Sequence, residues 1–307
     1  MNKKNIVRKF FYKHRYLHLL VMPCIVYFFV FRYLPMYGNI IAFKDYKGIG
    51  GFWGIINAEW VGLKYFKMFF SSYYFTRLLG NTLIISLLRL VFAFPAPIIL
   101  SILINEIRAT WFKRTVQTIS YMPHFLSWVV TAGLIATLLS PTSGPVNAIL
   151  ERIGLQRVFF IGDPKYFRSV LVISDIWKNV GWGTIVYLAA ICGLGNEIME
   201  AATVDGANKW HKIMHITLPG IKEIIAILFI LSVGRILDEN FEQIFNLYSE
   251  AVFNVSDVFE TYVYRRGIRG GDFSYSSAVN LFKSVASLLL VLGSNKIAKK
   301  LGSYGLW

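Results

Sequence analysis

The charged side chains that could do chemistry in this sequence lie inside strongly apolar stretches. The stretch 221–243 contains Arg235, followed three, four and seven residues later by Asp238, Glu239 and Glu242, a spacing that places all four on one face of a helix. A charge facing lipid at the bilayer centre costs about 2.5–3.5 kcal/mol. We therefore expect this face to look into the protein or into a wet cavity in the outer half of a membrane.

Polar side chains lie at a comparable depth in three other apolar stretches. They are Arg89 in the second stretch, Asp175, Trp177, Lys178, Asn179 and Trp182 in the fourth, and Lys283 in the sixth. The positive and negative charges nearly cancel, which predicts one polar chamber for a neutral, hydroxyl-rich solute such as a sugar, with rings covering its apolar faces. The alternative is that pairs such as Arg235 with Asp238 only hold helices together.

A third group of residues lies between the fourth and fifth apolar stretches. It consists of Glu200, Ala201, Ala202, Asp205, Gly206, Ile216, Leu218 and Pro219. Glu200 in an early helical turn suits the helix dipole, and small alanines let another backbone approach closely. Gly206 permits a left-handed turn before a second short helix, and Pro219 suits the first turn of the next span. We expect a helix-turn-helix with an apolar side that has no partner of its own in this chain.

Signals for other chemistry are weak. A phosphate-binding loop needs Gly-Lys followed by Ser or Thr, and the dipeptide Gly-Lys does not occur in the sequence. His211 and His215 have helical metal-ligand spacing but no obvious third ligand, and Cys24 and Cys192 lie far apart inside apolar runs. We therefore expect no metal site and no ATPase or embedded enzyme site in this chain.

Composition places all these residues in a membrane protein. Of the 307 residues, 55% are hydrophobic and 16% charged, and the mean hydropathy is +0.52, which excludes an ordinary soluble protein. The net charge of +15 comes from basic residues that flank the apolar runs, a distribution that argues against a nucleic-acid partner. Windows of about 20 residues predict six spans, at 17–42, 78–104, 115–139, 168–192, 221–243 and 274–294.

Basic residues are denser on one side of these spans by about twofold, which favours both termini in the cytosol. We predict a basic cytosolic segment 1–16 and a single membrane domain 17–307 that carries a cytosolic loop at 195–220. The first run is interpreted as a retained span, because no small-residue cleavage site follows it.

The segment from Glu200 to Pro219 matches the EAA motif, with Glu-Ala-Ala, three residues, Gly, nine residues and Ile-x-Leu-Pro. In this the chain resembles the permeases of binding-protein-dependent ABC importers. It is most similar to oligosaccharide permeases of the maltose-like branch that carry the lipoprotein/polysaccharide-transport label in low-GC Gram-positive bacteria, and Trp177-x3-Gly181-Trp182 fits that branch. The resemblance implies an all-α integral membrane protein with the type I ABC importer permease fold, six transmembrane helices and a cytosolic coupling helix.

The resemblance also implies a function and partners. The chain would import a carbohydrate across the cell membrane together with a second homologous permease. Two ATP-binding subunits would bind ATP and Mg²⁺ and grip the EAA loop, so this chain itself would hold no cofactor. An extracellular solute-binding lipoprotein would dock on the connectors 43–77, 140–167 and 247–273. Alternatives are an ABC permease for another polar solute, an ion-coupled secondary transporter and an embedded enzyme.

Overall fold

The long apolar runs form helices, because backbone N–H and C=O groups inside lipid must be paired within the chain. The computed structural model describes residues 15–238 and 241–300. Three helices are long and apolar enough to cross a membrane, namely Arg15–Phe43, Tyr73–Glu106 and Phe273–Lys300. Up to six spans result when each of three bent helix pairs is counted as one, which agrees with the six predicted windows.

We number the spans in chain order. Span one is Arg15–Phe43, span two Tyr73–Glu106, span three Thr110–Phe125 with Trp128–Leu138, span four Pro164–Cys192, span five Lys222–Gly234 and span six Phe273–Lys300. Within and between them the helical segments are Arg15–Phe28, Phe29–Tyr33, Leu34–Met36, Tyr37–Phe43, Gly51–Asn57, Lys64–Phe70, Tyr73–Leu88, Arg89–Ala93, Pro95–Glu106, Thr110–Tyr121, Met122–Phe125, Trp128–Leu138, Pro145–Arg152, Pro164–Cys192, Asn196–Val204, Lys209–Lys212, Ile213–Thr217, Leu218–Gly220, Lys222–Gly234, Phe241–Leu247, Glu250–Val252, Phe253–Ser256, Phe259–Val263, Tyr264–Arg269 and Phe273–Lys300. Two short antiparallel strands, β1 (Lys44–Asp45) and β2 (Glu59–Trp60), pair Lys44 with Trp60 and Asp45 with Glu59.

Span three consists of two helical arms that meet at a sharp bend. Its two arms meet at 106° between Phe125 and Trp128, and we call residues 122–127 the elbow. Pro123 has no N–H to continue a helix, and the Ser127 hydroxyl accepts a hydrogen bond from Val130 N at 3.3 Å to begin the second arm. The predicted span 115–139 therefore corresponds to a bent pair of helices, Thr110–Phe125 and Trp128–Leu138.

Span five ends earlier than predicted. The helix stops at Gly234, and the next described helix is Phe241–Leu247, so one helix over 221–243 is wrong. Gly234 lies so close to span six that an added Cβ would be 2.4 Å from Val291 Cγ2. The freed carbonyl of Ile236 instead accepts a hydrogen bond from the Ser86 hydroxyl of span two. The break means that Arg235, Asp238 and Glu242 do not share one helical face.

Buried side chains pack the spans together in three clusters. We call the end of the spans next to the loop 195–220 the inner end and the opposite end the outer end. The outer cluster surrounds the fully buried Phe69, the middle cluster surrounds Phe167, and the inner cluster includes Ile98 of span two and Ile191 of span four. Close packing of this kind is what associates helices in lipid. Span one packs only at its C-terminal end, where Ala42 is fully buried against span six, while none of its most apolar window is buried in this chain. Its surface is therefore available to lipid or to another protein.

A buried carboxylate fixes the outer loop 247–273 to span two. Asp257 is fully buried and accepts hydrogen bonds from Arg77 Nη2 at 3.0 Å and from Arg265 Nη2 at 2.8 Å. The Thr261 hydroxyl donates to its other oxygen at 2.9 Å, and Asn81 Nδ2 donates to its backbone carbonyl at 3.1 Å. We call these five residues the outer network. It joins the outer end of span two to the connector that precedes span six.

A second outer contact involves Tyr65, whose hydroxyl donates to Asp45 Oδ1 at 2.7 Å. This hydrogen bond, with a smaller contribution from Lys47, holds the pKa of Asp45 below its usual value. Burial, together with the same hydrogen bond, raises the pKa of Tyr65 to about 12. The contact therefore favours an ionised Asp45 beside a neutral Tyr65 at physiological pH.

This contact predicts a small pH-dependent contribution to stability. A lowered pKa means that Asp45 stabilises the folded state above its unfolded pKa of about 4 and that this contribution disappears as the pH falls through its folded value. We expect Asp45→Asn to lower the melting temperature at pH 7 by about 2 °C or less and to have no effect at pH 2. Differential scanning fluorimetry of the detergent-solubilised protein checks this, and a difference that persists at pH 2 contradicts it.

Candidate functional site

A cavity of about 620 Å³ opens between spans two, four and five. Its wall contains six of the side chains predicted to line a polar chamber, namely Arg89, Asp175, Asn179, Trp182, Arg235 and Asp238. Serine hydroxyls and the rings of Phe94 and Tyr187 complete a wall that is mixed in polarity. The structure brings these six residues, which come from different spans, together at one cavity.

Span four and span two contribute a connected polar cluster to the cavity. Asn179 Nδ2 donates to Asp175 Oδ1 at 2.7 Å, and Arg89 Nε lies 3.9 Å from Asp175 Oδ2. Arg89 also donates to Gln243 Oε1, and the fully buried Gln243 donates through Nε2 to Leu171 O and to the Ser174 hydroxyl. Arg89 is thereby held in place, and its charge is balanced by Asp175.

Asp238 is paired on the other side of the cavity. Lys283 of span six donates to Asp238 Oδ1 at 2.7 Å and also to Glu260. Lys283 is mostly buried, whereas Asp238 is exposed to the cavity. Arg235 follows the last residue of span five, and its side chain is exposed. Within residues 15–238 and 241–300, Arg235 forms no ion pair. Paired charges and hydroxyls of this kind offer many hydrogen bonds with little net charge.

Of the five other residues predicted to line the cavity, the four that the structure describes do not line it. Trp177 lines a separate apolar groove of about 490 Å³ on the opposite side of span four, and Lys178 points into the elbow. Glu242 is exposed on Phe241–Leu247, beyond the break that follows span five. Glu239 lies outside the described residues. Lys283 reaches the cavity only through Asp238.

Two contributing residues were missed by the sequence argument. Gln243 is an amide at the end of an apolar stretch, so its polarity is a signal that the sequence offers. Glu260 lies in an outer connector, where an acidic residue is ordinary and gives no signal. Only the fold brings Glu260 to Lys283.

Trp182 connects the cavity to the elbow of span three. Its ring stacks on His124 with centroids 4.6 Å apart and planes 5° apart. His124 Nδ1 also forms a hydrogen bond with Asn179 Oδ1 at 3.1 Å. Trp182 is 49% exposed, and its ring gives the cavity wall an apolar surface of the kind that covers a sugar ring.

The loop 195–220, here named the coupling loop, forms the predicted helix-turn-helix. Helix Asn196–Val204 carries Glu200, Ala201 and Ala202, and after Asp205 the chain turns at Gly206 with φ +78°. Asn208 then begins the second helix by accepting a hydrogen bond from His211 N at 2.9 Å. Non-glycine residues seldom adopt such a φ, which explains the glycine at position 206.

The coupling loop leaves several large apolar side chains exposed. Val204 is 88% exposed, Trp210 63% and Ile198 55%. Lys209 lies 3.2 Å from Glu106 at the inner end of span two, so the loop is oriented relative to the spans. An oriented apolar surface without cover is typical of a protein interface.

The end of the coupling loop differs from the prediction in one detail. Ile216, Leu218 and Pro219 belong to helical turns that end at Gly220, and span five begins after a 61° bend, at Lys222. Pro219 therefore precedes the bend and does not lie in the first turn of span five. A residue that cannot continue backbone hydrogen bonding is well suited to this position.

In the part of the chain that the structure describes, no three His, Cys, Asp or Glu residues are arranged to hold a metal ion. His211 and His215 stack on each other at 5.8 Å on the exposed surface of the coupling loop.

Comparison with known proteins identifies the family. Residues 93–297 match the family model described as binding-protein-dependent transport system inner membrane component. Protein LplB of Bacillus subtilis (strain 168) is 44% identical over 96% of this chain and 92% of its own length. The polygalacturonan/rhamnogalacturonan transport system permease protein YteP of the same organism is 42% identical over 96% of this chain and 91% of its own length.

A solved structure shows the same fold. A chain of a bacterial ABC transporter involved in the import of the acidic polysaccharide alginate superposes with a TM-score of 0.88 at 39% identity, over 96% of this chain and 98% of that chain. A chain in the structure of a bacterial alginate ABC transporter in complex with an alginate pentasaccharide-bound periplasmic protein superposes with a TM-score of 0.89 at 39% identity. The match covers 97% of this chain and 99% of that chain. The all-helical fold is therefore that of a type I ABC importer permease, and the chain belongs to the family of binding-protein-dependent transport system inner membrane components.

Proposed function

We propose that this chain is one permease half of an ATP-driven importer that moves an oligosaccharide or a polysaccharide fragment into the cell. The observation that carries the proposal is the cavity wall, in which Arg89 with Asp175 and Lys283 with Asp238 are paired beside Trp182. Paired charges can hydrogen-bond hydroxyl groups, and the ring can cover the apolar face of a sugar. The carbohydrate named for YteP and the alginate named for the solved transporter support the same class of cargo.

The motor would be a separate ATPase bound at the coupling loop. This loop carries the EAA residues and exposed apolar side chains, and the sequence has no Gly-Lys dipeptide for a phosphate-binding loop of its own. The complete importer would contain a second homologous permease, two ATP-binding subunits that hold ATP and Mg²⁺, and an extracellular solute-binding lipoprotein. Both termini would lie in the cytosol of a Gram-positive cell.

Reconstitution tests the proposal directly. The chain is purified with its co-purifying subunits, placed in liposomes, and supplied with ATP on the side of the coupling loop. The probes are galacturonan, rhamnogalacturonan and alginate oligosaccharides, with maltotriose as a neutral sugar. ATP-dependent uptake of at least one probe is expected. Uptake that proceeds on an ion gradient without ATP would instead support a secondary transporter.

Trp182 provides a residue-level prediction. We expect Trp182→Ala to raise the half-saturating sugar concentration about tenfold, which corresponds to about 1.4 kcal/mol of lost binding. Trp177→Ala is the matched control, because Trp177 is on the same helix and equally exposed but lines the apolar groove. Uptake kinetics in liposomes measure both variants, and equal effects of the two substitutions would remove Trp182 from the sugar site.

A further inference from the structure

The elbow of span three lies against the middle of span four. Lys178 is fourteen residues from Pro164 and fourteen from Cys192, the two ends of that helix. Its side chain is almost entirely buried, with 5% exposure. No carboxylate of the described residues lies within salt-bridge distance of its Nζ. A buried ammonium at this depth needs partners of another kind.

Those partners are the carbonyl groups at the elbow. Lys178 Nζ donates to His124 O at 2.9 Å, to Pro123 O at 3.3 Å and to Leu126 O. An ammonium has three N–H donors, and here three carbonyl oxygens accept them. Carbonyls at the end of a helix lack intrahelical partners, and a cation beside them is also favoured by the helix dipole.

Lys178 contacts both arms of span three. The three carbonyls end the inner arm, while Nζ lies 5.4 Å from the ring centroid of Trp128, the first residue of the outer arm. A single side chain of span four is therefore in contact with span three on both sides of the 106° bend.

Neighbouring residues of span four reinforce this contact. A Cβ at Gly181 would lie 2.1 Å from Ser120 O, so the two helices approach as closely as only glycine allows. Asn179 and Trp182 hold the His124 ring, and both also line the cavity. We call Lys178, Asn179, Gly181 and Trp182 the elbow clamp.

We propose that Lys178 is a positioning residue that fixes the elbow of span three to span four, so that movement of the coupling loop reaches the cavity wall. The proposal rests on the proposed function. Span four runs without interruption from the elbow clamp to Cys192, and the helix Asn196–Val204 of the coupling loop begins four residues later. Span three's elbow and span four's cavity residues then move together when the ATPase displaces the loop.

The angle at the elbow is measured first. The exposed Cys24 and Cys192 are replaced by serine, and spin labels are attached at Trp111→Cys on the inner arm and Thr137→Cys on the outer arm. In the assembled complex we expect one narrow distance distribution with Lys178 present. Lys178→Met should broaden it at least twofold, Lys178→Gln should give an intermediate width, and Lys178→Arg should keep it narrow. A Lys178→Met distribution as narrow as that of the unaltered protein overturns the proposal.

The coupling ratio is measured second, as ATP hydrolysed per oligosaccharide imported for the probe that the unaltered complex takes up. We expect the ratio to rise at least threefold in Lys178→Met, and to be unchanged in Lys296→Met, an exposed lysine near the end of span six and outside the connectors. If the Lys178→Met chain does not assemble into the complex, both the distance distribution and the coupling ratio are measured on Lys178→Gln. If Lys178→Gln shows both an unchanged coupling ratio and a distance distribution as narrow as that of the unaltered protein, the proposal is contradicted. If the unaltered complex shows no ATP-dependent uptake, the proposed function is contradicted instead.

Discussion

Uptake is expected to fall at least a hundredfold when Glu200 is replaced by lysine. Glu200 is exposed on the helix Asn196–Val204 and lies on the coupling loop beside the uncovered apolar side chains. Losing one partner of a buried interfacial charge pair costs about 2–5 kcal/mol, and a reversed charge adds repulsion. Because about 1.4 kcal/mol is a factor of ten in affinity, the ATPase subunits would dissociate or bind without transmitting force.

Two measurements check this result. Uptake into liposomes is compared for the unaltered chain, Glu200→Lys and Glu151→Lys. The last variant makes the same reversal at an exposed residue of a different connector, where Glu151 has only a surface pair with Arg157 at 2.7 Å. Co-purification of the ATPase subunits with each variant shows whether the contact itself is lost. Normal uptake by Glu200→Lys would mean that the coupling loop does not bind a motor at this residue.

The spans and the coupling loop could be predicted because both depend on local sequence. Apolar length alone marks a helix that can cross lipid, and the structure extends the predicted window 78–104 to Tyr73–Glu106 without changing its identity. The left-handed turn at Gly206 is likewise a property of glycine itself. Neither feature requires knowledge of what packs against it.

The elbow and the end of span five could not be predicted because contacts between spans produce them. An apolar run with one Pro is compatible with a continuous or a broken span. The 106° bend is stabilised by Lys178, fifty-five residues after Pro123. Similarly, the break after Gly234 depends on a hydroxyl from Ser86 and on the close approach of Val291.

The cavity residues were predicted only in part. The depth of a residue along a span can be counted from the sequence, but whether its side chain faces the cavity depends on its angular position around the helix. Asp175, Asn179 and Trp182 are four and three residues apart and share one face of span four. Trp177 lies about 160° away from that face at 3.6 residues per turn and lines the opposite groove. The helical period alone would have separated Trp177 from the cavity.

Replacing Asp257 by asparagine is expected to destabilise the protein by about 3 kcal/mol. The carboxylate is fully buried and accepts hydrogen bonds from Arg77 and Arg265, whose side chains are 22% and 25% exposed. Burial by itself lowers the pKa of Arg265, but its hydrogen bond and charge attraction to Asp257, together with smaller contributions from Tyr248, outweigh burial and raise the pKa. Without the carboxylate, two partly buried guanidinium groups lose their counterion, and the outer loop 247–273 loses its attachment to span two.

The control lies in the same loop. Asp272 pairs with Arg266 at 3.2 Å with side chains that are 30% and 45% exposed, so Asp272→Asn is expected to cost no more than about 1 kcal/mol. Thermal unfolding of the purified complex ranks the two variants, and limited proteolysis shows whether the loop has opened. The outer network lies in a connector on which a solute-binding protein would dock. Asp257→Asn should therefore also lower the rate of uptake that depends on this protein. Equal stability of the two variants would mean that Asp257 contributes no more than a surface pair.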